Sequence, residues 1–356
     1  MITEHKIIFN NANNMKELKD NSVNLMITSP PYPMIYMWDE IFSKQNIKIK
    51  EALKENEGYL AFELMHKELD KVWSEVYRVL KEGGFACINI GDATRTINKQ
   101  FQLYNSHSRI LKKCIELGFK TFPSIIWNKQ TNAPNKFMGS GMLPIGAYVT
   151  LEHEYILILR KGNRREYKSE EEKENRRESA FFWEERNKWF SDLWNGLKGT
   201  KQKLNNTELR KRSGAYPFEL AYRLINMFTM KGDLVLDPFL GTATTTIASL
   251  CSERNSIGFE IDKKFSPLIS ERILDCKEDI NEYIEKRINN HLDFVKEREK
   301  VKGELKYTNE NHNFPIMTRQ ELGIKIRKLK SINKKDNVFI TKYHTSDNLL
   351  ISSFIS

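Results

Sequence analysis

The sequence has few cysteines and no long apolar run, and each absence excludes a class of protein. Its four cysteines are far apart and include no C-x-x-C pair, which argues against a zinc cluster or a disulfide framework and fits a reducing cytosol. The histidines show no metal-ligand spacing, so we expect no metal site. No apolar run approaches the ~20 residues of a membrane-spanning helix, and the first residues lack a signal-peptide hydrophobic region. These features predict a cytoplasmic protein with no membrane partner.

The chain carries an excess of positive charge. Its 356 residues include 57 Lys and Arg against 47 Asp and Glu, for a net charge of +10. Such an excess is compatible with a polyanionic partner, although many proteins of other functions are also basic. The length suffices for one large α/β domain with insertions, or for two domains.

Apolar strand patterns alternate with helical spacing along most of the chain. A helical pattern at 69–80 stops at Gly83-Gly84, and a strand pattern follows it at once. This alternation predicts an α/β fold with a mostly parallel sheet. Residues 38–70 are polar and charged, and we expect a loop that runs into a helix. The apolar strand patterns cover residues 23–27, 85–90, 121–127, 155–159, 234–237 and 256–261.

Residues 28–32 read Thr-Ser-Pro-Pro-Tyr and follow the first buried strand pattern. Ser29 supplies a hydroxyl oxygen, Pro30 a backbone carbonyl and Tyr32 a flat aromatic face. Two consecutive prolines restrict the backbone, so the carbonyl has a fixed direction. Such a group of acceptors suits the exocyclic amine of a flipped base. The alternative is a proline-stiffened turn with no ligand.

A second motif has the layout of an adenosine-binding βαβ unit. The strand at 234–237 leads into Asp237-Pro238-Phe239-Leu240-Gly241-Thr242, a helix follows, and the next strand ends at Glu260. Gly241 allows the backbone to approach a ligand, and Glu260 suits the two ribose hydroxyls. The loop lacks the G-x-G-x-x-G and Gly-Lys-Ser/Thr patterns of phosphate sites, which favours a ligand with adenosine but no phosphates. An ordinary strand–loop–helix is the alternative.

Together, the segments at 28–32 and 237–242 resemble the β-class of DNA amino-methyltransferases, in which the catalytic tetrapeptide precedes the cofactor loop. The resemblance covers roughly residues 6–275. Four further stretches look like family segments: 77–84, 125–129, 153–157 and 216–225.

The resemblance implies a Rossmann-like fold that uses S-adenosylmethionine. It implies a seven-stranded, mostly parallel sheet, circularly permuted, with a target-recognition insertion. We expect a catalytic domain at 1–280 with the insertion at 163–213, and a charged, helical and basic extension at 281–356. The residues expected to hold the cofactor are Thr28, Asp237, Pro238, Phe239, Gly241, Thr242 and Glu260.

The resemblance also implies a reaction on double-stranded DNA. Ser29, Pro30, Pro31 and Tyr32 would be the catalytic tetrapeptide, and serine in its first position looks like the cytosine-N4 branch. The expected function is therefore transfer of a methyl group to the N4 amine of a flipped cytosine, in a restriction–modification system whose restriction endonuclease acts separately. The basic residues expected to contact DNA are Lys198, Lys201, Lys203, Arg210 and Arg212.

Two departures from the family pattern affect the cofactor loop. Ala243 stands where the family usually has a second glycine. Some relatives carry an Asp in the first polar turn that contacts the adenine, whereas this chain has Asn10, Asn11 and Asn13, and the sequence does not choose among them.

Three rival interpretations remain open at the level of sequence. An adenine-N6 methyltransferase would share the fold. A non-catalytic DNA-binding protein could have kept it, although the intact Ser-Pro-Pro-Tyr argues against this. A protein or RNA amide methyltransferase with a related Asn-Pro-Pro-Tyr would place its cofactor loop before the tetrapeptide, the reverse of the order here.

Overall fold

The computed structural model describes residues 1–129, 138–197 and 216–345. Its strands are β1 (Ile2–Ile8), β2 (Val23–Thr28), β3 (Leu80–Ile90), β4 (Ala93–Ile97), β5 (Gln100–Tyr104), β6 (Phe119–Asn128), β7 (Met138–Gly139), β8 (Ala147–Tyr148), β9 (His153–Lys161), β10 (Leu193–Trp194), β11 (Leu234–Asp237), β12 (Asn255–Phe259), β13 (Tyr307–Thr308), β14 (Pro315–Ile316), β15 (Leu329–Lys335) and β16 (Val338–Tyr343). Its helices are α1 (Asp39–Gln45), α2 (Ile47–Lys54), α3 (Gly58–Val79), α4 (Ser106–Glu116), α5 (Glu170–Glu178), α6 (Trp183–Trp189), α7 (Phe218–Phe228), α8 (Thr244–Cys251), α9 (Ser266–Asp275) and α10 (Lys277–Lys302).

A ten-stranded sheet with the order β10-β6-β9-β3-β2-β11-β12-β1-β16-β15 forms the centre of the described residues. Strands β3, β2, β11, β12 and β1 pair in parallel, whereas β9 and β16 run the other way. The sheet is thus mixed and mostly parallel. The resemblance to the methyltransferase family implied seven strands. Strand β10 and the β15–β16 hairpin add three strands at the two edges of the sheet. Strand β10 has only two residues and β15 is rich in Lys, so neither reads as a buried strand, whereas Val338–Ile340 in β16 has the pattern of a possible strand.

Helices cover both faces of the sheet. All six residues of β2 are buried, and its apolar side chains are divided between two cores. One core contains Leu25 and Ile27 and is closed by α7 to α10, and the other contains Val23 and Met26 and is closed by α3 and α4. A strand buried on both faces is typical of the middle of a doubly covered α/β sheet. The loop after β2 is therefore held on a rigid support.

The polar stretch after the tetrapeptide is helical, not the loop expected from its composition. Helix α1 buries Phe42, and helix α2 buries Ile49 and Ala52. The side chain of Asn46 caps the N-terminus of α2. A few apolar positions on short, highly charged helices are enough to dock them on α3. Their charges face outward, which is why the composition resembles that of a loop.

The C-terminal segment contributes to the same sheet. The expected domain boundary at residue 280 lies inside α10, whose Ile280, Ile284 and Ile288 are buried in the main core. Strand β16 pairs antiparallel with β1, and the Tyr343 hydroxyl donates to the Leu250 carbonyl at 2.8 Å. The hairpin therefore covers the β1 edge of the sheet.

The segment proposed as an insertion begins with two helices and one short strand. Helix α5 carries no buried residue, whereas Trp189 on α6 and Trp194 on β10 are buried. The Trp194 indole donates to the Trp189 carbonyl at 3.0 Å, and β10 pairs with β6 at the sheet edge. Trp189 and Trp194 thus form a local core, whereas Trp183 is exposed. Among the helices of the described residues, none combines the length and the hydrophobicity of a membrane-spanning segment.

Candidate active site

A cavity of about 670 Å³ opens at the carboxyl ends of β3, β2, β11 and β12. Ligands of open α/β sheets bind at this edge. Both sequence motifs line the cavity: Ser29 to Tyr32 on one side, and Asp237 to Thr242 with Glu260 on the other. The cavity lies within the size range of small-molecule sites, ~300–1,000 Å³. The structure therefore brings the two motifs into one site.

A buried hydrogen bond joins the two motifs. Thr28 Oγ1 donates to Asp237 Oδ1 at 2.7 Å, and the amide of Phe239 donates to the same oxygen at 3.0 Å. Asp237 Oδ2 accepts from Thr245 Oγ1 at 2.5 Å and from the Tyr216 hydroxyl at 3.3 Å. Burial raises the pKa of Asp237, and these four donors oppose that shift. The Asp237 carboxylate is thus engaged within the protein, where it fixes the end of β2 against the start of the cofactor loop.

The other end of the cavity offers a carboxylate with free acceptor capacity. Glu260 Oε2 accepts from the Gly241 amide and Oε1 from the Asp262 amide, each at 2.9 Å. A carboxylate has about four acceptor positions, so both oxygens can take a further donor. Burial raises the pKa of Glu260 to about 7, because the cavity wall removes water from the charge and the two amides only partly compensate.

This end of the cavity suits the adenosine part of S-adenosylmethionine. Gly241 has φ of +53°, and a Cβ built there would meet no atom within 4 Å, so its backbone faces open space. Phe239, Phe259 and Ile261 provide apolar walls beside the Glu260 carboxylate. An apolar slot with one carboxylate at its end can hold a planar base with its ribose hydroxyls.

The two departures from the family pattern have visible structural counterparts. Ala243 adopts φ of +66° and ψ of +29° at the start of α8, the left-handed conformation that glycine favours. The backbone shape expected of a glycine is thus kept with a methyl group present, and that methyl is fully buried. Of the three asparagines in the first polar turn, Asn10 and Asn11 line the cavity.

Sequence reasoning missed a polar cluster behind the tetrapeptide. The Ser29 hydroxyl donates to the Tyr32 hydroxyl at 3.0 Å, and Tyr32 donates to Glu154 Oε2 at 2.8 Å. Asn89 Nδ2 donates to Tyr32 at 3.0 Å and to Glu154 at 2.6 Å, and Lys129 Nζ donates to Glu154 Oε1 at 2.5 Å. The available signal was Asn89, a polar residue inside an apolar strand pattern, and Glu154, an acid that opens another.

The segment after the tetrapeptide forms a cavity wall. Ile35, Met37 and Trp38 line the cavity, whereas Met34 packs in the core. Asp39 at the start of α1 accepts two hydrogen bonds of 2.8 Å from Arg95 on β4. This bidentate pair holds the wall against the β4–β5 hairpin.

The five basic residues expected to contact DNA lie outside the described residues: Lys198, Lys201, Lys203, Arg210 and Arg212. Of the other basic residues in the expected insertion, Arg165 pairs with Asp233 at 2.8 Å, Arg177 pairs with Glu174 at 2.7 Å, and Arg176 lies over the Tyr167 ring. These three are thus used in contacts within the protein.

Comparisons with known sequences agree on one family. The family model described as DNA methylase, which covers N6 and N4 enzymes, matches residues 23–271. The Type II methyltransferase M.MthZI of Methanothermobacter thermautotrophicus is 54% identical over 341 residues, covering 95% of each chain. The Type II methyltransferase M.MjaI of Methanocaldococcus jannaschii is 49% identical over 282 residues, covering 76% of this chain and 91% of its own.

Solved structures give the same fold. A Thermus thermophilus protein described as a putative DNA modification methylase, in complex with S-adenosyl-L-methionine, is 30% identical, with a TM-score of 0.58 over 75% of this chain and 94% of its own. The cytosine-N4-specific PvuII DNA methyltransferase is 18% identical, with a TM-score of 0.51 over 81% of this chain and 94% of its own. At that identity the second match concerns the fold alone.

Proposed function

This chain belongs to the N6/N4 DNA methylase family and is a methyltransferase that uses S-adenosylmethionine, and we propose that it methylates the N4 amine of cytosine in double-stranded DNA. The observation that carries the proposal is the convergence of Ser29 and Glu260 on one cavity. Ser29 stands in the first position of the tetrapeptide, where serine looks like the N4 branch. In this proposal the cavity joins a loop that would bind the amine to a loop that would bind the adenosine.

The chemistry requires acceptors at the amine. The N4 amine of cytosine is a weak nucleophile because its lone pair is delocalised into the ring. Ser29 Oγ and the Pro30 carbonyl would each accept a hydrogen bond from one of the two N–H groups of this amine. Pro31 would fix the direction of the Pro30 carbonyl. Tyr32 would stack on the base, which must leave the duplex to reach the cavity. Orientation and hydrogen bonding would supply most of the rate enhancement.

The cofactor would be held at the other end of the cavity. Glu260 would accept the ribose hydroxyls, and the backbone of Gly241 and Thr242 would approach the ligand closely. Phe239 and Pro238 would form the apolar side of that slot, while Thr28 and Asp237 would fix the loop that carries it. When bound, S-adenosylmethionine supplies a methyl group on a sulfonium, which needs no enzyme nucleophile to leave.

DNA would be contacted by the segment at 163–213, as part of a catalytic unit at 1–280. Phosphate contacts from basic side chains would position the duplex without reading its sequence. The residues from 281 to 356 would extend that unit. The Type II names of the relatives support a place in a restriction–modification system, with a separately acting restriction endonuclease.

Adenine-N6 methylation is the alternative within the same family. The family model covers both reactions, and the described polar groups of the cavity suit either exocyclic amine. The choice of cytosine depends on Ser29, since an Asp in that position would suggest adenine more often.

Methylation-aware sequencing of DNA from a methylation-deficient host that expresses the chain tests this proposal. We expect N4-methylcytosine at one recurring sequence, and none in a host that expresses Ser29→Ala at equal level. N6-methyladenine at the recurring sequence, or no modification with the wild-type chain, would overturn it.

A further inference from the structure

Glu154 lines the cavity beside the tetrapeptide, at the end of a chain of hydroxyl groups that starts at Ser29. The distance from Ser29 Oγ to the Tyr32 hydroxyl oxygen is 3.0 Å. The distance from that oxygen to Glu154 Oε2 is 2.8 Å. The Glu154 side chain is 9% exposed, and its other oxygen pairs with the half-exposed Lys129. Ser29 and Tyr32 come from the loop after β2, whereas Glu154 is on β9.

The direction of the hydrogen bonds in this chain is fixed by chemistry. An ionised carboxylate only accepts and an amide NH₂ only donates. Tyr32 must therefore give its single proton to Glu154, and its oxygen accepts from Asn89 Nδ2 at 3.0 Å. Ser29 is then the donor in the Ser29–Tyr32 contact. With its proton turned toward Tyr32, Ser29 Oγ accepts from Asn89 Nδ2 at a long 3.5 Å and has acceptor capacity left for a group in the cavity.

The packing around Glu154 keeps this arrangement in place. A Cβ added to Gly91 would lie 3.1 Å from Tyr32 Cε2 and 3.3 Å from Glu154 Cγ, so the absence of a side chain there permits the close contact. Asn89 is 2% exposed and donates to both Tyr32 and Glu154. Burial and the nearby Glu154 charge raise the pKa of Tyr32 well above its usual value, so this hydroxyl stays protonated.

We propose that Glu154 is a positioning residue and the final proton acceptor of the methyl transfer, acting on Ser29 through Tyr32. The inference rests on the proposed function. A nitrogen that gains a methyl group must lose one proton to end neutral. As the amine N–H bond breaks, an O–H bond forms on Ser29, the Ser29 proton passes to Tyr32, and the Tyr32 proton passes to Glu154. The carboxylate ends protonated and releases the proton to solvent beside Lys129.

The test compares Glu154→Gln with a matched control. Glutamine can accept the Tyr32 hydrogen bond but cannot take up a proton. Glu152→Gln makes the same chemical change two residues away, on an exposed side chain that does not line the cavity. The reaction uses purified full-length protein in excess over unmethylated plasmid DNA, with labelled S-adenosylmethionine, so that a single turnover is measured.

We expect Glu154→Gln to lower the single-turnover rate by about 10- to 100-fold, with dissociation constants for cofactor and DNA within about twofold of wild type. Glu152→Gln should match wild type. The variant Tyr32→Phe keeps the ring and breaks the relay, so adding Glu154→Gln to it should lower the rate no further.

A Glu154→Gln rate within about twofold of wild type would overturn the inference. The inference would also fail if the rate losses of Tyr32→Phe and Glu154→Gln multiplied in the double variant. It would fail as well if Glu154→Gln weakened cofactor binding as much as it slowed methyl transfer. These outcomes are distinct from failure of the proposed function. Methylated adenine made by the wild-type protein would refute the cytosine assignment while leaving the Glu154 comparison valid for the N6 amine.

Discussion

Thr28 Oγ1 and Asp237 Oδ1 are joined by a 2.7 Å hydrogen bond between residues 209 positions apart in the chain. The bond is possible because β2 and β11 are neighbouring parallel strands, in a register that aligns Met26 with Leu236. Parallel neighbours end at the same edge of a sheet, so the loops that follow them must meet. The tetrapeptide and the cofactor loop thus line one cavity.

Removing this bond should weaken the protein and its cofactor site together. Thr28→Val keeps the shape of the side chain and removes the donor, which leaves Asp237 with one fewer partner for a buried charge. We expect a loss of about 1–3 kcal/mol in the free energy of unfolding and weaker cofactor binding, measured by denaturant unfolding and calorimetry. The control Thr96→Val lies on an exposed position of β4. Equal stability of the two variants would contradict the assigned role of the bond.

The stability of the cofactor-free protein should depend on the ionisation of Glu260. Its pKa is raised from 4.5 in the reference state to about 7 in the fold by burial. Folding therefore favours the protonated form of Glu260. The contribution of this form to the free energy of unfolding is fully present below about pH 4.5 and is lost as the pH rises through about 7. The shift corresponds to roughly 3 kcal/mol. Denaturant unfolding of wild type and Glu260→Gln between about pH 5 and 8 measures it, since the variant stays neutral. If the difference in unfolding free energy between wild type and Glu260→Gln stayed constant across that pH range, the raised pKa assigned to Glu260 would be refuted.

Cofactor affinity should follow the same titration in the opposite sense. Ribose hydroxyls donate to the ionised carboxylate, so binding requires Glu260 to lose its proton. We expect the dissociation constant to improve by about tenfold between about pH 6 and pH 8, with proton release near pH 7. Calorimetry in buffers of different ionisation enthalpy measures both quantities. Glu260→Gln should bind weakly with no such trend, and a wild-type affinity that is flat with pH would argue against contact with Glu260.

Ser29→Ala separates catalysis from cofactor binding. The substitution removes one acceptor for the target amine and leaves Glu260, Gly241 and Phe239 untouched. We expect the single-turnover rate to fall by about 100-fold or more, by analogy with the loss of one preorganised hydrogen-bonding group in other active sites, with cofactor affinity unchanged. A rate equal to that of wild type would remove Ser29 from the mechanism.

The C-terminal hairpin should be needed for a stable fold. A chain that ends at residue 328 loses β15 and β16, exposes the hydrogen-bonding edge of β1 and leaves the core without Phe339 and Tyr343. We expect a lower melting temperature and aggregation in size-exclusion chromatography. A chain that ends at residue 345 keeps the hairpin and is the control. Identical behaviour of the two chains would mean that the hairpin is dispensable.

The order of motifs was readable from the sequence because each motif follows a strand with a continuous apolar pattern. Strand β11 is predicted at its observed bounds, and helix α8 follows its loop as predicted. Both are short, buried elements bounded by turn residues, for which local pattern and tertiary packing agree. The mixed, mostly parallel sheet follows from the same alternation of strands and helices.

The remaining features depend on contacts between distant segments. Helices α1 and α2 read as a loop because their few apolar residues are hidden among charges, and their docking on α3 decides their structure. The edge strand β15 is polar because it faces solvent. The contact of Glu154 with Tyr32 joins β9 to the loop after β2. Glu154 is conspicuous as an acid at the start of an apolar strand, but no local pattern in either segment pairs it with Tyr32.

Nucleoside mass spectrometry of DNA methylated by the purified protein tests the central claim most directly. Unmethylated duplex DNA is incubated with isotopically labelled S-adenosylmethionine, digested to nucleosides and compared with DNA treated with Ser29→Ala. The account predicts labelled N4-methylcytosine from the wild-type protein and about 100-fold less from the variant. Label that appears in N6-methyladenine, or in neither nucleoside, would contradict it.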